Sequence, residues 1–351
     1  MASDPLLIYG ATGYTGRLVV DAAMKRGLRP ILAGRNSARL GELGAQLGLE
    51  CRTAALTDAA ELRRALSGIT VALLTAGPFS ETAGPMLDAC LAAGVHYLDI
   101  TGECHVIEQL ATRSSEARRR NCMVMPACGF DVVASDALAL HVSRRLPGAC
   151  YLALGISGLV TATRGSLRTI AEQAGAPVRT RRNGMLTWVQ PGTLRRQFDY
   201  GTGTSWSSAV TWGDVATAFH TTGIPNIEVY FEETVNVRAM LTAGRMFGAA
   251  LQSPIAQAWL KAHTQLFPEG PTATERAVHR VVVVAEAETA AGDRAMSRLH
   301  TPEPYSFSGE TASAIAARVL AGDVEPGFQT PARVYGPDVV LQFDRVVRED
   351  I

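Results

Sequence analysis

Short apolar stretches alternate with helical patterns over the first 125 residues of the chain. Between the stretches, apolar residues recur at spacings of three, four and seven, which places them on one face of a helix. Such alternation predicts an α/β fold with a parallel, doubly wound Rossmann sheet, because parallel neighbours require crossover helices. The predicted strands are Leu6–Tyr9, Pro30–Ala33, Glu50–Thr53, Val71–Leu74, His96–Ile100 and Cys122–Met125.

The pattern changes after Pro126 and predicts a second, α+β domain. Its predicted strands are Tyr151–Ser157, Leu186–Gln190, Ser208–Trp212, Ile227–Glu232 and Arg280–Ala287. Its predicted helices are Ser135–Arg145, Ser166–Gln173 and Val237–Leu266, the last with a new segment starting at Ser253-Pro254. We therefore expect a nucleotide-binding domain over 1–127 and a substrate or dimerisation domain over 128–309. A segment from about 310 to 351, with a helix at Thr311–Ala321, should return to pack on the first domain.

Composition excludes several classes of protein. The 351 residues are 47% hydrophobic and 19% charged, as in a globular enzyme. The 33 basic residues equal the 33 acidic ones, which gives no indication of a nucleic-acid or anionic-membrane partner. Six scattered cysteines and seven histidines form no pattern with metal-ligand spacing, so we expect no metal and reduced thiols in a cytoplasm. No apolar run reaches the roughly 18 residues of a stable membrane span.

A glycine-rich loop follows the first strand and opens a helix. It reads Gly10-Ala11-Thr12-Gly13-Tyr14-Thr15-Gly16, with the glycine spacing common in NADP-binding Rossmann domains. Gly10 should make the tight turn, Gly13 should let the backbone approach a pyrophosphate, and Gly16 should allow close packing of helix on strand. Backbone N–H groups at the start of the helix would then meet the phosphates. A ligand-free glycine turn is the alternative.

The end of the second strand distinguishes NAD from NADP. An NAD enzyme usually places Asp or Glu there to bind the ribose 2′-hydroxyl. Here the strand runs into Gly34-Arg35-Asn36, without an acid. Because the planar guanidinium of Arg35 can pair with a 2′-phosphate, the sequence favours NADP(H) as cofactor, with Arg35 and Asn36 in its site.

An ordered set of motifs along nearly the whole chain resembles the saccharopine dehydrogenase-like family, in particular its trans-acting enoyl reductases. Besides the glycine loop and Ala33-Gly34-Arg35-Asn36, the motifs are Ala76-Gly77-Pro78-Phe79, His96-Tyr97-Leu98-Asp99-Ile100-Thr101-Gly102-Glu103, Gly129-Phe130-Asp131, Trp212-Gly213-Asp214, Thr222-Gly223-Ile224-Pro225-Asn226-Ile227-Glu228-Val229-Tyr230 and Gly327-Phe328-Gln329-Thr330-Pro331-Ala332.

The resemblance implies hydride transfer from NADPH and a second domain that closes over the cofactor. It places Ala76, Gly77, Pro78 and Phe79 along the ribose and nicotinamide, with Thr101 and Gly102 at the neighbouring strand end. The chain departs from many relatives at Thr163-Arg164-Gly165-Ser166. If this run lines the pocket, Arg164 adds a charge there.

Four side chains are candidates for acid–base chemistry beside a nicotinamide. Glu103 is best placed, at the end of the fifth strand, although a carboxylate there could equally stabilise the N-terminus of the following helix. Asp131, Tyr97 and Asp214 are the others, each with a structural alternative: a brace, a core residue and a turn residue respectively. No Tyr-x-x-x-Lys pair of the short-chain dehydrogenase type is present, since the only lysines are Lys25 and Lys261.

The sequence thus leaves three functions open. The first is an NADPH-dependent reductase acting on an activated C=C bond of a lipid- or polyketide-like intermediate, free or bound to coenzyme A or a carrier protein. The second is an NADPH-dependent imine or carbonyl reductase, and the third is a non-catalytic NADP(H)-binding partner or sensor. The Met- and Leu-rich stretch around Met240 and Met246 is compatible with a core, an apolar pocket or the face of a homodimer.

Overall fold

The computed structural model describes residues 5–159 and 162–351. The chain divides into two compact units. The first comprises the chain up to Val133 together with Pro304–Tyr335, and the second comprises Ala134–Glu303 together with Gly336–Ile351. The division thus falls a few residues after the predicted boundary at 127, inside a helix. It also places the final residues with the second unit, whereas the sequence analysis assigned all of 310–351 to the first.

The first 145 residues alternate strands and helices as the apolar pattern predicts. In chain order the elements are β1 (Leu6–Tyr9), α1 (Tyr14–Lys25), β2 (Ile31–Gly34), α2 (Ser37–Leu47), β3 (Cys51–Thr53), α3 (Ala59–Ala65), β4 (Val71–Leu74), α4 (Phe79–Ala93), β5 (His96–Asp99), α5 (Cys104–Thr112), α6 (Ser114–Arg119), β6 (Met123–Met125) and α7 (Phe130–Arg145). Strands β1, β2 and β4 are buried at every residue, as expected for a sheet covered on both faces.

The middle of the chain is richer in strands. Its elements are β7 (Ala149–Ser157), α8 (Arg164–Gln173), β8 (Val178–Arg182), β9 (Met185–Val189), β10 (Arg195–Asp199), β11 (Thr204–Ala209), α9 (Asp214–Thr222), β12 (Asn226–Glu232), α10 (Val235–Leu251), α11 (Pro254–His263), a 3₁₀ turn (Thr264–Leu266), α12 (Ala273–Val278), β13 (Arg280–Thr289) and β14 (Arg294–Pro302). The predicted strand Ser208–Trp212 was placed too late, because Trp212 lies in the turn that leads into α9.

The last elements of the chain are shared between the two units. They are α13 (Pro304–Leu320), β15 (Gly327–Phe328), α14 (Pro331–Tyr335) and β16 (Val347–Asp350). Within the described residues, the first unit forms a seven-stranded parallel sheet in the order β15-β6-β5-β4-β1-β2-β3, a Rossmann arrangement extended by one strand. Helix α13 packs closely on α1, since a Cβ at Gly309 would lie 2.9 Å from the Leu18 carbonyl oxygen.

The second unit is built on a mixed sheet. Over the described residues its main path runs β10-β11-β12-β7-β13-β14-β16, and the hairpin β8–β9 joins at β12. Strand β16 pairs antiparallel with β14, which explains why the end of the chain belongs to this unit. The aromatic residues Phe198, Tyr200 and Tyr230 pack on one face of the sheet over β7. The fold is therefore α/β with a second α+β domain, as the sequence predicts.

Candidate functional site

The glycine loop lies at the carboxyl end of β1, where its shape is fixed by close backbone approaches. Gly10 has a φ of +90°, and a Cβ there would lie 2.8 Å from the Ala76 amide nitrogen. A Cβ at Gly16 would overlap the Gly10 carbonyl oxygen. Gly13 is the N-cap of α1, without a side-chain cap and without an acid in the first turn of the helix. The glycine loop therefore leaves the positive end of the α1 dipole available to bind an anion.

The turn after β2 carries Arg35 and Asn36. Arg35 is exposed, and its positive charge lies near enough to Tyr9, at the end of β1, to offset part of the rise in the pKa of that hydroxyl caused by burial. Asn36 is the N-cap of α2, with its Oδ1 accepting from the Arg39 amide at 3.0 Å. Thus Arg35 lies exposed near the end of β1, while the Asn36 oxygen is already used by its own helix.

Residues 76–79 form a tight turn between β4 and α4. The Gly77–Pro78 peptide bond is cis, and the Thr82 hydroxyl donates to the Ala76 carbonyl oxygen at 2.7 Å. The Thr75 hydroxyl donates to the Tyr9 carbonyl oxygen at 2.9 Å, which ties this turn to the end of β1. The turn therefore lies beside the glycine loop, at the same edge of the sheet.

Glu103 braces two neighbouring loops. Its buried carboxylate accepts from the Phe79 amide at 2.9 Å and from the Ser80 amide at 3.1 Å, so both oxygens cap the N-terminus of α4. Glu103 is itself the N-cap residue of α5, but its side chain makes no cap bond there. The Glu103 carboxylate therefore stabilises the start of α4, the helix before it, and not, as expected from the sequence, α5, the helix after it. Its role as a catalytic acid stays a prediction.

Asp131 lies in the first turn of α7, at the same carboxyl edge of the sheet. Its side chain lies against the β5–α5 loop, because a Cβ at Gly102 would come within 2.7 Å of Asp131 Oδ2. Burial, reinforced by the negative charge of Glu103, raises the pKa of Asp131 to about 7. The site thus holds a carboxyl group that can carry a proton at neutral pH.

Tyr97 lies within β5, whereas Thr101 follows β5 in the loop at the carboxyl edge of the sheet. Both are fully buried, the Tyr97 hydroxyl donates to Asp99 at 2.7 Å, and the Thr101 hydroxyl accepts from the Glu103 amide at 3.0 Å. Asp99 also accepts from the Thr101 and Ala127 amides, at 2.9 and 2.8 Å. Burial outweighs these bonds and raises the pKa of Asp99 to about 6.

Asp99 is the residue that sequence reasoning missed. It connects the loop after β5 to the loop after β6, and the latter leads into Asp131. An acid as the last residue of a buried parallel strand was a usable signal, because such a carboxylate must find donors in the adjoining loops.

The raised pKa of Asp131 predicts how stability depends on pH. The folded protein keeps a proton that the unfolded chain releases near pH 4, so the free energy of unfolding should fall as pH rises toward about 7. Asp131→Asn should reduce that fall by about 2–4 kcal/mol. Urea denaturation at several pH values measures it. Identical pH profiles for both proteins would place the Asp131 pKa near its ordinary value.

Comparison with known proteins agrees with this geometry. Residues 10–118 match the NAD(P)H-binding family. The chain contains an NAD(P)H-binding domain. A trans-acting enoyl reductase of Mycobacterium leprae is 33% identical over 149 residues, which cover 40% of this chain and 36% of that protein. One of Mycobacterium tuberculosis is 32% identical over 148 residues, covering 40% and 35%. The chain thus matches little more than a third of the length of these relatives.

The whole chain also has the fold of a solved enzyme. The apo saccharopine dehydrogenase (L-Glu forming) of Saccharomyces cerevisiae superposes with a TM-score of 0.67 over 99% of each chain, at 10% sequence identity. This likeness concerns the fold alone.

The residues of the NAD(P)H-binding domain fit a dinucleotide. The space that a Cβ would fill at Gly10 or Gly16 is taken by backbone, so the loop can only be built from glycine at these positions. The half-buried Thr12, Tyr14 and Thr15 surround the uncapped start of α1, and the Tyr14 ring packs edge-on against Tyr305, with centroids 5.6 Å apart.

Two candidates fall in the second unit. Asp214 is fully buried at the start of α9 and accepts from the Ser135 hydroxyl at 2.8 Å. Thr163 caps α8 through the Ser166 amide at 3.1 Å, and the Arg164 side chain donates to the Phe267 carbonyl oxygen. Asp214 and residues 163–166 therefore make stabilising contacts within the second unit. Over the described residues, no group of His, Cys, Asp and Glu could hold a metal ion.

Proposed function

We propose that this protein is an NADPH-dependent reductase of an activated C=C bond in a lipid- or polyketide-like intermediate. The observation that carries the proposal is a carboxyl group with a pKa of about 7, Asp131, at the sheet edge that also bears the glycine loop of the NAD(P)H-binding domain. The names of the mycobacterial relatives supply the substrate class.

The cofactor preference rests on the turn after β2. No carboxylate stands in Gly34-Arg35-Asn36 to accept from a ribose 2′-hydroxyl, and Arg35 is exposed beside the end of β1. A guanidinium offers two parallel donors to a phosphate, and such charge-assisted bonds are the stronger kind. NADPH is therefore proposed over NADH.

In the proposed mechanism, few side chains take part in the reaction besides the cofactor. NADPH, when bound, supplies the hydride, and the glycine loop with Ala76–Phe79 would hold it. Asp131 in its protonated form gives its carboxyl proton to the reduced substrate, and a new proton from solvent restores it. Glu103 is a positioning residue, since its charge raises the pKa of Asp131 while its oxygens fix the start of α4. Tyr97 acts only through Asp99.

A second candidate is reduction of a C=N or C=O bond. The saccharopine dehydrogenase fold over the whole chain favours it, and a protonated Asp131 would serve an imine or a ketone equally well. An enoyl thioester, a cyclic imine and a ketone, each tested for oxidation of NADPH, separate the two candidates. Selective NADPH binding without oxidation by any of them would favour a non-catalytic partner or sensor.

The substrate is proposed to arrive on another molecule. The relatives are named as acting in trans, which supports a coenzyme A or carrier-protein thioester delivered to this chain.

Because NADPH is kept inside cells, the activity is proposed to be cytoplasmic. Over the described residues, no helix is both long and apolar enough to cross a membrane.

An Arg35→Ala variant tests the cofactor assignment. It should weaken NADPH binding by about 1.5–3 kcal/mol, the worth of hydrogen bonds to charged groups, and leave NADH binding nearly unchanged. Fluorescence titration with both nucleotides measures this. Arg63→Ala, which removes an exposed arginine of α3, is the matched control and should bind NADPH as the parent does. Equal weakening of both nucleotides by Arg35→Ala would remove the 2′-phosphate role.

A further inference from the structure

Strand β9 lies at an edge of the mixed sheet, with its outer side unpaired. It pairs with β8 over all five of its residues. In the part of the chain that the structure describes, no other strand pairs with β9, and no backbone hydrogen bond joins its residues to anything but β8. Such an edge presents a row of free N–H and C=O groups with which another strand can pair.

The hairpin determines which backbone groups of β9 are free. A two-residue turn at 183–184 joins β8 to β9, and both of its residues have a positive φ, of 49° and 79°. Such a turn makes the flanking Arg182 and Met185 a hydrogen-bonded pair, and bonded pairs alternate along antiparallel strands. The N–H and C=O groups of Leu186 and Trp188 therefore point away from β8.

Strand β9 lacks the protection that the other described sheet edges carry. Its sequence, Met185-Leu186-Thr187-Trp188-Val189, contains no charged residue and no proline. By contrast, β10 and β16, at the two ends of the same sheet, each carry three charged residues. In the first unit, edge strand β3 carries Arg52 and edge strand β15 has only two residues. Charges and short length keep an edge from pairing with other chains, so β9 is the edge left able to pair.

We propose that β9 pairs antiparallel with β9 of a second copy of this chain and joins the two mixed sheets. In a two-fold pair centred on Thr187, Leu186 lies opposite Trp188 of the other copy, and each such pair exchanges both of its free hydrogen bonds. No like charges meet, which would destabilise the pairing. Because the free edge of each copy is used up, assembly stops at the dimer.

The backbone and the side chains of β9 favour the same partner. Met185 and Trp188 are exposed at 69% and 61%, and the two-fold pair places Val189 and Leu186 of the other copy against them. A lipid surface could also cover these side chains, but it would leave the N–H and C=O groups of Leu186 and Trp188 without partners. A second β9 supplies partners for the backbone and for the apolar side chains, over the same number of residues.

Sedimentation velocity of the full chain over a range of concentrations tests the pairing. The parent should sediment as a dimer. Trp188→Pro removes an outward N–H group and leaves the bonds to β8 in place, so it should raise the dimer dissociation constant more than about tenfold. A parent that stays monomeric at every concentration, or that forms species larger than a dimer, overturns the proposal.

An exchange of charges tests the register. Leu186→Lys/Trp188→Lys and Leu186→Glu/Trp188→Glu should each be monomeric, because like charges would lie opposite each other across the two-fold axis. An equimolar mixture of the two variants should dimerise again, since every pair then joins opposite charges. Absence of that recovery would rule out the pairing of β9 with itself.

The matched control places the same charges on equally exposed apolar side chains elsewhere. Ile255 and Trp259 are exposed at 85% and 59% on α11, and Ile255→Lys/Trp259→Lys should leave the dissociation constant within about twofold of the parent. Circular dichroism of every variant measures whether it is folded. A dimer that this control dissociates, while the β9 variants leave it intact, would place the interface on α11 and overturn the proposal.

Discussion

Asp131→Asn is expected to lower turnover by about 10²–10⁴-fold while NADPH affinity and KM stay nearly unchanged. A positioned proton donor contributes that much to a proton transfer, and an amide of the same shape cannot release a proton. Steady-state kinetics with the substrate found active in the panel, together with cofactor titration, give the three quantities. Asp21→Asn, at an exposed position on α1, is the control and should behave as the parent.

The pH dependence of turnover gives a second readout of the same group. Because the protonated form donates, kcat of the parent should fall as pH rises above about 7, where Asp131 ionises. The residual activity of Asp131→Asn should lack that limb. A variant that keeps turnover within about threefold of the parent would exclude Asp131 as the donor, since a group that gives the proton cannot be dispensable.

Glu103→Ala is expected to destabilise the protein by about 2–4 kcal/mol. The substitution removes a buried carboxylate and leaves the Phe79 and Ser80 amides at the start of α4 without their acceptors. Glu103→Gln keeps one acceptor oxygen and should recover part of the loss. Asp58 caps α3 by accepting from the Ala60 and Glu61 amides through one oxygen and is exposed, so Asp58→Ala should destabilise the protein much less than Glu103→Ala.

Glu103→Gln also separates the electrostatic effect of Glu103 on Asp131 from its structural role at the start of α4. Removal of the negative charge should lower the pKa of Asp131, so the alkaline limb of kcat should move to lower pH. Denaturant unfolding and pH–rate profiles measure the two effects. A limb that stays in place while stability falls would leave Glu103 with a purely structural role.

The apolar pattern was sufficient for the strands buried on both faces. Predicted β1 and β4 have the observed bounds, because strands in a parallel sheet are continuous apolar runs. Strand β14 was missed for the opposite reason. One face of β14 is buried at Ala295, Ser297, Leu299 and Thr301, but two of these residues are hydroxylic and Arg298 on the other face is buried too, so the apolar period of two is concealed. Two-residue β15 has no pattern of its own and exists only by pairing with β6.

The candidate site was predictable where backbone shape decides it. The spacing of Gly10, Gly13 and Gly16 between a strand and a helix was sufficient for the loop. The role of Glu103 was not predictable, because the helix it caps precedes it by 24 residues and meets it only through the pairing of β4 with β5. The proton-holding character of Asp131 likewise depends on neighbours brought together by the sheet, not on its local sequence.

The seventh strand has a consequence for biosynthesis. A ribosome that has completed the chain up to Val133 must make the 170 residues of Ala134–Glu303 before α13 and β15 emerge, a delay of roughly 10–30 s at ordinary rates of translation. Throughout that time β6 is an unpaired sheet edge, open to wrong partners and to chaperones. A transcript truncated after Glu303 would encode the whole glycine loop and Asp131, yet yield a nucleotide-binding domain that cannot finish folding.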